Sequence, residues 1–112
     1  MTPIFDETDL IPGDDAREFE GARLGACMSI ILVDSRPGSG PKLHWHPYEE
    51  VFVVHEGDVT FTLGDEVIEA RGGQIVVAPA GVPHKFVNSG SGQLRQTDIH
   101  ASNRFITEWL EV

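Results

Sequence analysis

The chain is short, acidic and of ordinary globular composition. It has 112 residues, of which 40% are hydrophobic and 23% charged, and its formal net charge is −10. A chain of this length has too little interior for two hydrophobic cores, so we expect one domain. The negative charge argues against a nucleic-acid partner, whose phosphates need a basic surface, and against anionic membrane surfaces.

No part of the sequence predicts a membrane span or export. The apolar runs are all far shorter than the length that crosses a bilayer. The first seven residues lack the positive start and the apolar run of a secretory signal. We therefore expect a cytoplasmic protein without a membrane partner.

The amino-terminal stretch carries most of the negative charge. Residues 1–20 contain seven acidic residues against the single base Arg17, so six of the ten net negative charges lie there. We interpret residues 1–23 as a solvated, loosely held acidic segment and residues 24–112 as the single folded domain. The lone cysteine, Cys27, begins that domain inside an apolar run and is expected to be a small buried residue of the core or of a dimer face.

From residue 24 onward, short apolar runs alternate with glycine, proline, serine and aspartate at intervals of about ten residues, which is typical of a β-sandwich or barrel. The predicted strands cover residues 26–34, 50–55, 59–63, 66–70, 74–78, 84–88 and 94–100. Gly57-Asp58 and Gly64-Asp65 predict tight hairpin turns, because glycine supplies the positive φ that such turns need. We therefore expect a meander of antiparallel strands. Residues 104–110 fit both a helical stripe and an edge strand, and we favour the strand.

His44 and His46 form the first candidate pair of metal ligands. On a strand, residues two apart project from the same face with Cα atoms about 7 Å apart, a gap that two imidazoles can close onto one ion. Glu50 lies about 13 Å further along a straight strand, so the chain must bend for its carboxylate to join them. Pro47 gives a reason for the bend, because proline interrupts a central ladder. A helix would also bring His46 and Glu50 together, but the flanking glycine, proline and β-branched residues oppose one.

His84 is a further candidate and lies far along the chain. Residues 79–83, a turn with two prolines and a glycine, deliver it to the start of a predicted strand. Taken alone, a histidine beside an apolar strand is more often a hydrogen-bonded structural residue than a ligand. The residues by themselves leave its role open.

Two stretches of the sequence resemble the paired signature motifs of the cupin superfamily. The first reads Gly38, five residues, His44-Trp45-His46, three residues, Glu50, six residues, Gly57. The second reads Gly73, five residues, Pro79, one residue, Gly81, two residues, His84, three residues, Asn88. All ten motif positions match without a gap, and the fifteen residues between the motifs are similar to the short spacing of small single-domain bacterial cupins.

The resemblance implies an all-β fold, a small double-stranded β-helix or jelly-roll barrel of antiparallel strands. It also implies one divalent transition metal ion per chain, held by His44, His46, Glu50 and His84. Imidazole nitrogens with one carboxylate suit Fe, Mn, Ni, Zn or Cu, and the ligand types do not choose among these metals. Four protein ligands leave two positions of a six-coordinate ion free for a small-molecule ligand or substrate.

Other polar residues near the motifs are weaker candidates. Glu49 adjoins Glu50, but strand alternation turns it away from the face that holds His46. By the same alternation His55 should face outward, whereas His100, at the end of the last long strand, fits either face. We treat both of these histidines as bystanders.

The alternation also predicts the lining of the pocket. Phe52, Phe61 and Phe86 would make it apolar. Tyr48 is placed to reach its rim and donate a hydrogen bond. Lys42 lies two residues before His44 and so shares the strand face of the first two histidines. It is the nearest cationic candidate to bind a carboxylate or phosphate group.

Two classes of function fit these features. The first is a metal-dependent enzyme, an oxygenase or isomerase that acts on an oxygenated small molecule, in which Glu50 is also the catalytic residue that moves a proton. The second is a non-catalytic module that binds a small ligand, because no general acid or base is recognisable outside the metal ligands. Exposed sheet edges favour a homodimer, with Trp109 and Leu110 as candidate contacts.

Overall fold

A computed structural model describes residues 4–112, and strands dominate it. This range contains eleven strands: β1 (Ile11–Gly13), β2 (Ala16–Phe19), β3 (Ser29–Ser35), β4 (His44–Trp45), β5 (Glu50–Glu56), β6 (Asp58–Leu63), β7 (Glu66–Arg71), β8 (Ile75–Ala78), β9 (His84–Asn88), β10 (Leu94–His100) and β11 (Glu108–Trp109). Its helical elements are a 3-10 turn, Glu7–Asp9, and a short α-helix, α1 (Gly21–Leu24). Within the described range, neither reaches the length and apolarity that a bilayer-spanning helix needs.

The strands form two antiparallel sheets. The first has the order β1, β2, β3, β10, β5, β8, and the second has the order β11, β4, β9, β6, β7. From β3 onward, most successive strands lie in different sheets, so the chain winds as a jelly-roll barrel. The predicted all-β jelly roll is confirmed. Each of the seven predicted strands has a counterpart whose ends lie within three residues of the prediction.

The expected meander is wrong at one of the two glycine turns. Gly64 has a φ of 56° and closes a hairpin in which Leu63 of β6 pairs with Glu66 of β7. Gly57, with a φ of 96°, instead carries the chain from β5 in one sheet to β6 in the other. A glycine signal predicts a sharp turn, but it does not determine whether the two strands pair.

The acidic amino-terminal stretch contributes strands to the first sheet. The sequence instead predicts a loosely held segment here. β1 and β2 form a hairpin, and β2 pairs with β3 from Ala16↔Val33 to Phe19↔Ile30. Charge counting missed this pairing because the ladder is made by backbone groups, whatever the side chains carry. The first sheet therefore reaches back to Ile11, while the division of the chain at residue 24 stays a prediction.

Cys27 is exposed in the single chain, so it does not belong to the core, while its predicted place on a dimer face stays a prediction. The cysteine lies between α1 and β3, because β3 begins at Ser29, three residues later than predicted. Its apolar neighbours in the sequence therefore do not share one strand with it.

The hydrophobic core lies between the two sheets. Its buried members are Val33, Phe52, Val54, Val59, Phe61, Ala70, Ala78, Phe86 and Leu94. The rings of Phe52 and Phe61 lie 4.8 Å apart, and Phe86 packs on both at 5.8–6.0 Å. Burial of each such ring contributes roughly 1.5–3 kcal/mol. The aromatic cluster thereby fixes β5 and β9, which carry two of the candidate ligands, against each other.

The carboxy-terminal stretch is largely irregular. Of the strand predicted for residues 104–110, only β11 forms, and it pairs with β4 through Glu108↔Trp45 and Trp109↔His44. The Trp109 ring packs 4.9 Å from the His44 ring. This pairing places the end of the chain beside the histidines of the first motif.

Candidate metal centre

The four predicted ligands meet in one buried cluster. His44 is the first residue of β4, and His46 is the first residue after that strand. Glu50 and His84 are the first residues of β5 and β9. The chain bends at residues 47 and 48, where Pro47 predicts a bend, and His44 pairs with His84 across the sheet. All four residues are buried, and one candidate ligand atom from each lies within 4.8 Å of the others.

Backbone carbonyl groups fix the orientation of the three imidazoles. In each, Nδ1 lies 2.6–2.9 Å from a carbonyl oxygen: that of Lys42 for His44, Ile106 for His46 and Val82 for His84. A carbonyl oxygen only accepts hydrogen bonds, so Nδ1 donates and Nε2 keeps its lone pair. This tautomer is the one that binds a metal ion through Nε2, and contacts of this kind orient metal-binding histidines.

The free nitrogens converge on the Glu50 carboxylate. Its Oε1 atom lies 3.2 Å from Nε2 of His46 and 3.1 Å from Nε2 of His84. Nε2 of His46 is buried and has no hydrogen-bond partner. His84 Nε2 hydrogen-bonds Glu50 Oε1 when it carries a proton. An unprotonated Nε2 and the carboxylate oxygen would repel each other at this distance unless a cation lay between them. Donors that share one ion at about 2.0–2.2 Å are themselves about 3 Å apart, so the residues fit a bound transition metal ion.

Burial and mutual contacts set the charges of the cluster. Burial lowers the pKa of His44 to about 4, which keeps this imidazole neutral at neutral pH. Burial acts to raise the pKa of Glu50, but contacts with His100, His46 and His84 outweigh it and hold that pKa well below its usual range. For His84, burial acts to lower the pKa, but the hydrogen bonds with Glu50 and the Val82 carbonyl and the negative charge of Glu50 together raise it above its usual value. A cation bound at Nε2 of His84 would displace the proton from that nitrogen, because metal and proton compete for it.

A further histidine, His100, lies against the other oxygen of Glu50. The interpretation of this residue as a bystander, made from the sequence alone, missed this contact. His100 is buried, with Nε2 3.1 Å from Glu50 Oε2 and Nδ1 2.7 Å from the Tyr48 hydroxyl. A hydroxyl can donate where a carbonyl cannot, so His100 is able to adopt the opposite tautomer, with Nε2–H toward the carboxylate. Tyr48 thus reaches the site as predicted, and its bond to His100 orients that ring on Glu50.

A cavity of about 510 Å³ opens beside the cluster. Phe52 and Phe86 line it as predicted, whereas Phe61 belongs to the core instead. Lys42 does not line it, because its amino group contacts the backbone oxygen of Val112. In the described part of the chain, Arg36 is the one lysine or arginine in the lining, and it pairs with Asp15 at 3.3 Å.

Two residues beside the first motif lie outside the site. The Glu49 side chain is exposed, as strand alternation predicts. His55 is also exposed and bonds through Nε2 to the Thr97 hydroxyl at 2.8 Å.

The two-sheet jelly roll and its cluster of three histidines and one glutamate define the class of protein as a cupin with a candidate metal site. The family model described as a cupin domain matches residues 31–100. The chain therefore belongs to the cupin family.

Three relatives extend this result at the level of sequence. Protein SchB of Streptomyces halstedii is 39% identical over 69 residues, which are 61% of this chain and 49% of that protein. The HTH-type transcriptional regulator PuuR of Escherichia coli (strain K12) is 28% identical over 80 residues, 70% of this chain and 43% of the regulator. An uncharacterised protein, MJ1618 of Methanocaldococcus jannaschii, is 31% identical over 78 residues, 69% of this chain and 59% of its own length. The chain spans about half the length of these relatives.

Solved structures share the fold at low sequence identity. Oxalate decarboxylase of Lactobacillus farciminis, in a formate complex, superposes with a TM-score of 0.84 at 20% identity, covering 95% of this chain and 35% of that chain. An uncharacterised protein of Klebsiella pneumoniae with a double-stranded β-helix domain superposes with a TM-score of 0.78 at 18% identity, covering 97% and 92% of the two chains. At this identity the likeness concerns the fold alone.

Proposed function

We propose that the chain binds one divalent transition metal ion through His44, His46, Glu50 and His84. The observation that carries the proposal is the direction of the nitrogen lone pairs. Each Nδ1 faces a backbone carbonyl, which leaves Nε2 as the nitrogen for an ion. Nε2 of His46 and Nε2 of His84 lie 3.1–3.2 Å from the same carboxylate oxygen, and the His84 nitrogen hydrogen-bonds it. Fe, Mn, Ni, Zn and Cu all suit such a donor set.

The preferred function is a small-molecule enzyme, an oxygenase or isomerase acting on an oxygenated substrate. The bound ion would supply Lewis-acid or redox chemistry at the coordination positions that the protein leaves free. The residues of the chain would bind and orient the substrate in the 510 Å³ cavity, whose walls include Phe52 and Phe86. Glu50 is the proposed catalytic residue: its Oε2, beside His100, is the atom that would accept and return a proton.

The second candidate is a non-catalytic module that binds a small ligand at the same site. The similarity to the PuuR transcriptional regulator, which covers 70% of this chain, favours it. In such a module the ion would hold the ligand without chemical turnover. Both candidates use the same cavity and the same four ligands, and for both we propose a cytoplasmic location.

The metal content of the purified protein tests the ligand assignment. We expect about one transition metal ion per chain by elemental analysis, and a melting temperature that falls when a chelator removes it, because a ligand of the folded state stabilises that state. His84→Ala should abolish binding by removing one donor. His55→Ala, at an exposed histidine, is the matched control and should retain the ion. If the wild-type protein binds none of the five metals after exposure to each of them, the proposal is contradicted.

Turnover separates the two candidates. Metal-loaded protein would be mixed with diketone, flavonoid and hydroxy-acid substrates while oxygen uptake and product formation are followed. An enzyme converts at least one substrate, and Glu50→Gln lowers the rate. A protein that binds its ion firmly but consumes no oxygen and forms no product supports the binding module instead.

We further propose that the chain forms a homodimer through the outer face of the first sheet. Two rows of apolar side chains cross four paired strands: Val77, Val51, Ile99 and Ile30 in one row, and Ile75, Val53 and Leu32, with Thr97, in the other. Ile75 and Val77 are exposed in the single chain. These two rows contain no charged residue on β8, β5, β10 and β3, although Arg17 of β2 pairs with Leu32 at their edge. Such an apolar surface can pack on its own copy about a twofold axis. Trp109 and Leu110 are exposed as well and remain candidate contacts.

A further inference from the structure

The inner face of β10 carries two polar side chains that metal binding does not explain. Gln96, Asp98 and His100 follow one another at two-residue intervals, and all three are buried. Residues at this interval are about 7 Å apart along a strand, so Asp98 comes next after the histidine that contacts Glu50. Asp98 lines the cavity and lies opposite Ile31 and Phe52 of the neighbouring strands.

The hydrogen bonds of this pair are incomplete. Gln96 Nε2 donates to Asp98 Oδ1 at 2.8 Å, and this is the one hydrogen bond of the Asp98 side chain within residues 4–112. Gln96 Oε1 is buried without a partner, although the whole residue is only 2% exposed. Buried polar groups are normally satisfied by hydrogen bonds. Asp98 is a buried carboxyl group on the cavity wall with a single hydrogen bond, so it can bind a further polar group there.

The surroundings select the kind of group. Burial, with the negative charge of Glu50 as a further cause, raises the pKa of Asp98 well above its usual value. The cation in the described lining, Arg36, is exposed and paired with Asp15. An anionic group beside Asp98 would thus meet carboxyl groups without a free cation, whereas a hydroxyl group can donate a hydrogen bond to a carboxyl oxygen in either protonation state.

We propose that Asp98, positioned by Gln96, binds a hydroxyl group at the far end of a ligand whose near end binds the metal ion through oxygen. The ligand class is a short carboxylate with a terminal hydroxyl group. The inference rests on the proposed metal site, because the ion holds the carboxylate end. It makes Asp98 a specificity-determining residue, and it supplies an acid group outside the metal ligands, which the sequence did not reveal.

Calorimetric titration of metal-loaded protein tests this subsite. The probes are 3-hydroxypropanoate, 4-hydroxybutanoate and 5-hydroxypentanoate, each compared with the unhydroxylated acid of the same length. At the length that spans the gap, we expect the hydroxy acid to bind about tenfold more tightly, because the parent acid leaves Asp98 buried without a second partner. The comparison needs no variant, so it does not depend on the folding of an altered chain.

Two variants locate the effect. Asp98→Val replaces the acid with an apolar side chain that suits a strand between Ile31 and Phe52, and it should abolish the preference for hydroxy acids while the metal content stays the same. Asp34→Val is the matched control, since Asp34 lies on the adjacent β3 with an exposed side chain. This control should keep the preference.

Three results would overturn the inference: equal affinities for each hydroxy acid and its parent, no binding by any of the six acids, or a preference that survives Asp98→Val. Elemental analysis of the same samples separates these results from a failure of the proposed function. Protein that holds its ion and shows no preference contradicts the subsite alone. Protein that holds no ion contradicts the metal site, and the subsite falls with it.

Discussion

At the scale of single residues, the chemical type of one hydrogen-bond partner separates the candidate ligands from the fourth buried histidine. His44, His46 and His84 each face a carbonyl oxygen with Nδ1, and His100 faces a hydroxyl group. A carbonyl forces Nδ1 to donate, while a hydroxyl lets it accept. The same side chain can therefore offer a lone pair to a metal ion in three places, while in the fourth its Nε2 lies 3.1 Å from a carboxylate oxygen.

Tyr48→Phe tests this role of the hydroxyl group. The change leaves an aromatic ring to stack on His46, where the two rings lie 4.9 Å apart, but it removes the hydrogen bond to Nδ1 of His100. His100 would then lose its fixed orientation on Glu50. Loss of such supporting contacts typically weakens metal binding about 10–100-fold, and we expect about tenfold here by competition titration with a chelating dye.

Thr97→Val is the matched control for that experiment. It also removes a hydroxyl group that bonds a histidine, but this histidine is the exposed His55. Metal affinity should be unchanged. Equal weakening in both variants would show that the Tyr48 effect is general and not a property of the site.

The sequence predicted the four candidate ligands and Tyr48 but not the places of His100 and Asp98, for a reason that these residues show. The four candidate ligands belong to a spaced motif, so their identity is readable without a structure. His100 and Asp98 belong to no motif, and the only signal was their shared parity with Leu94, which is fully buried. Residues two apart share one face of a strand, but the sequence does not say which face is buried until the register with the neighbouring strands is known. A slip of one residue moves every side chain to the opposite face.

At the scale of elements, the loop before β4 is held against β9 and thereby positions the first two histidines. The backbone N–H of Gly38 donates to Asn88 O at 2.8 Å, and the N–H of Asn88 donates to Ser39 O at 2.9 Å. Gly40 lies so close to β9 that an added Cβ atom would meet the backbone oxygen of Phe86 at 1.9 Å. The contact is possible only because glycine has no side chain.

Gly40→Ala should therefore be strongly destabilising. The added methyl group meets backbone atoms, which cannot rotate away, so the loop and β9 must separate. We expect a loss of about 2–3 kcal/mol in the free energy of unfolding by denaturant titration, at the upper end for overpacking. Gly92→Ala is the control, because an added Cβ there has nothing within 4 Å. A Gly40 variant as stable as this control would contradict the close approach.

Element prediction from the sequence succeeded where strands contain many apolar side chains and failed where charged side chains dominate. The alternation of Val59, Phe61 and Leu63 with threonines predicted β6 closely, and the run of β-branched and aromatic residues predicted β5. The hairpin of β1 and β2 was missed because it carries many charges and few apolar residues. The sequence also did not determine which sheet contains the strand after Gly57. A glycine turn can lead either to a paired strand of the same sheet or to a strand of the opposite sheet.

At the scale of the whole molecule, the proposed dimer follows from the apolar outer face of the first sheet. Val53 lies in the middle of this face, between Ile75 of β8 and Thr97 of β10. Val53→Lys would bury a charge at the contact, which is costly without a partner. We expect light scattering to give a mass of two chains for the wild type and of one chain for the variant.

The control for the dimer is a lysine on the other sheet. Val67 of β7 is 69% exposed and lies outside the proposed contact. Val67→Lys should leave the mass at two chains. A wild-type protein with the mass of one chain would contradict the dimer directly, and a dimer that survives Val53→Lys would assign the contact to another surface.

The pairing of His44 with His84 has a consequence for the order of events during folding. The two residues are neighbours across the second sheet but forty residues apart in the chain. Closing such a loop carries an entropy cost that must be met before the contact forms, and non-local pairing of this kind is slow. The complete donor set therefore exists only after β9 has docked beside β4. Capture of the proposed ion would therefore follow the docking of β9, and the rate of metal uptake by refolding protein would report the closure of the second sheet.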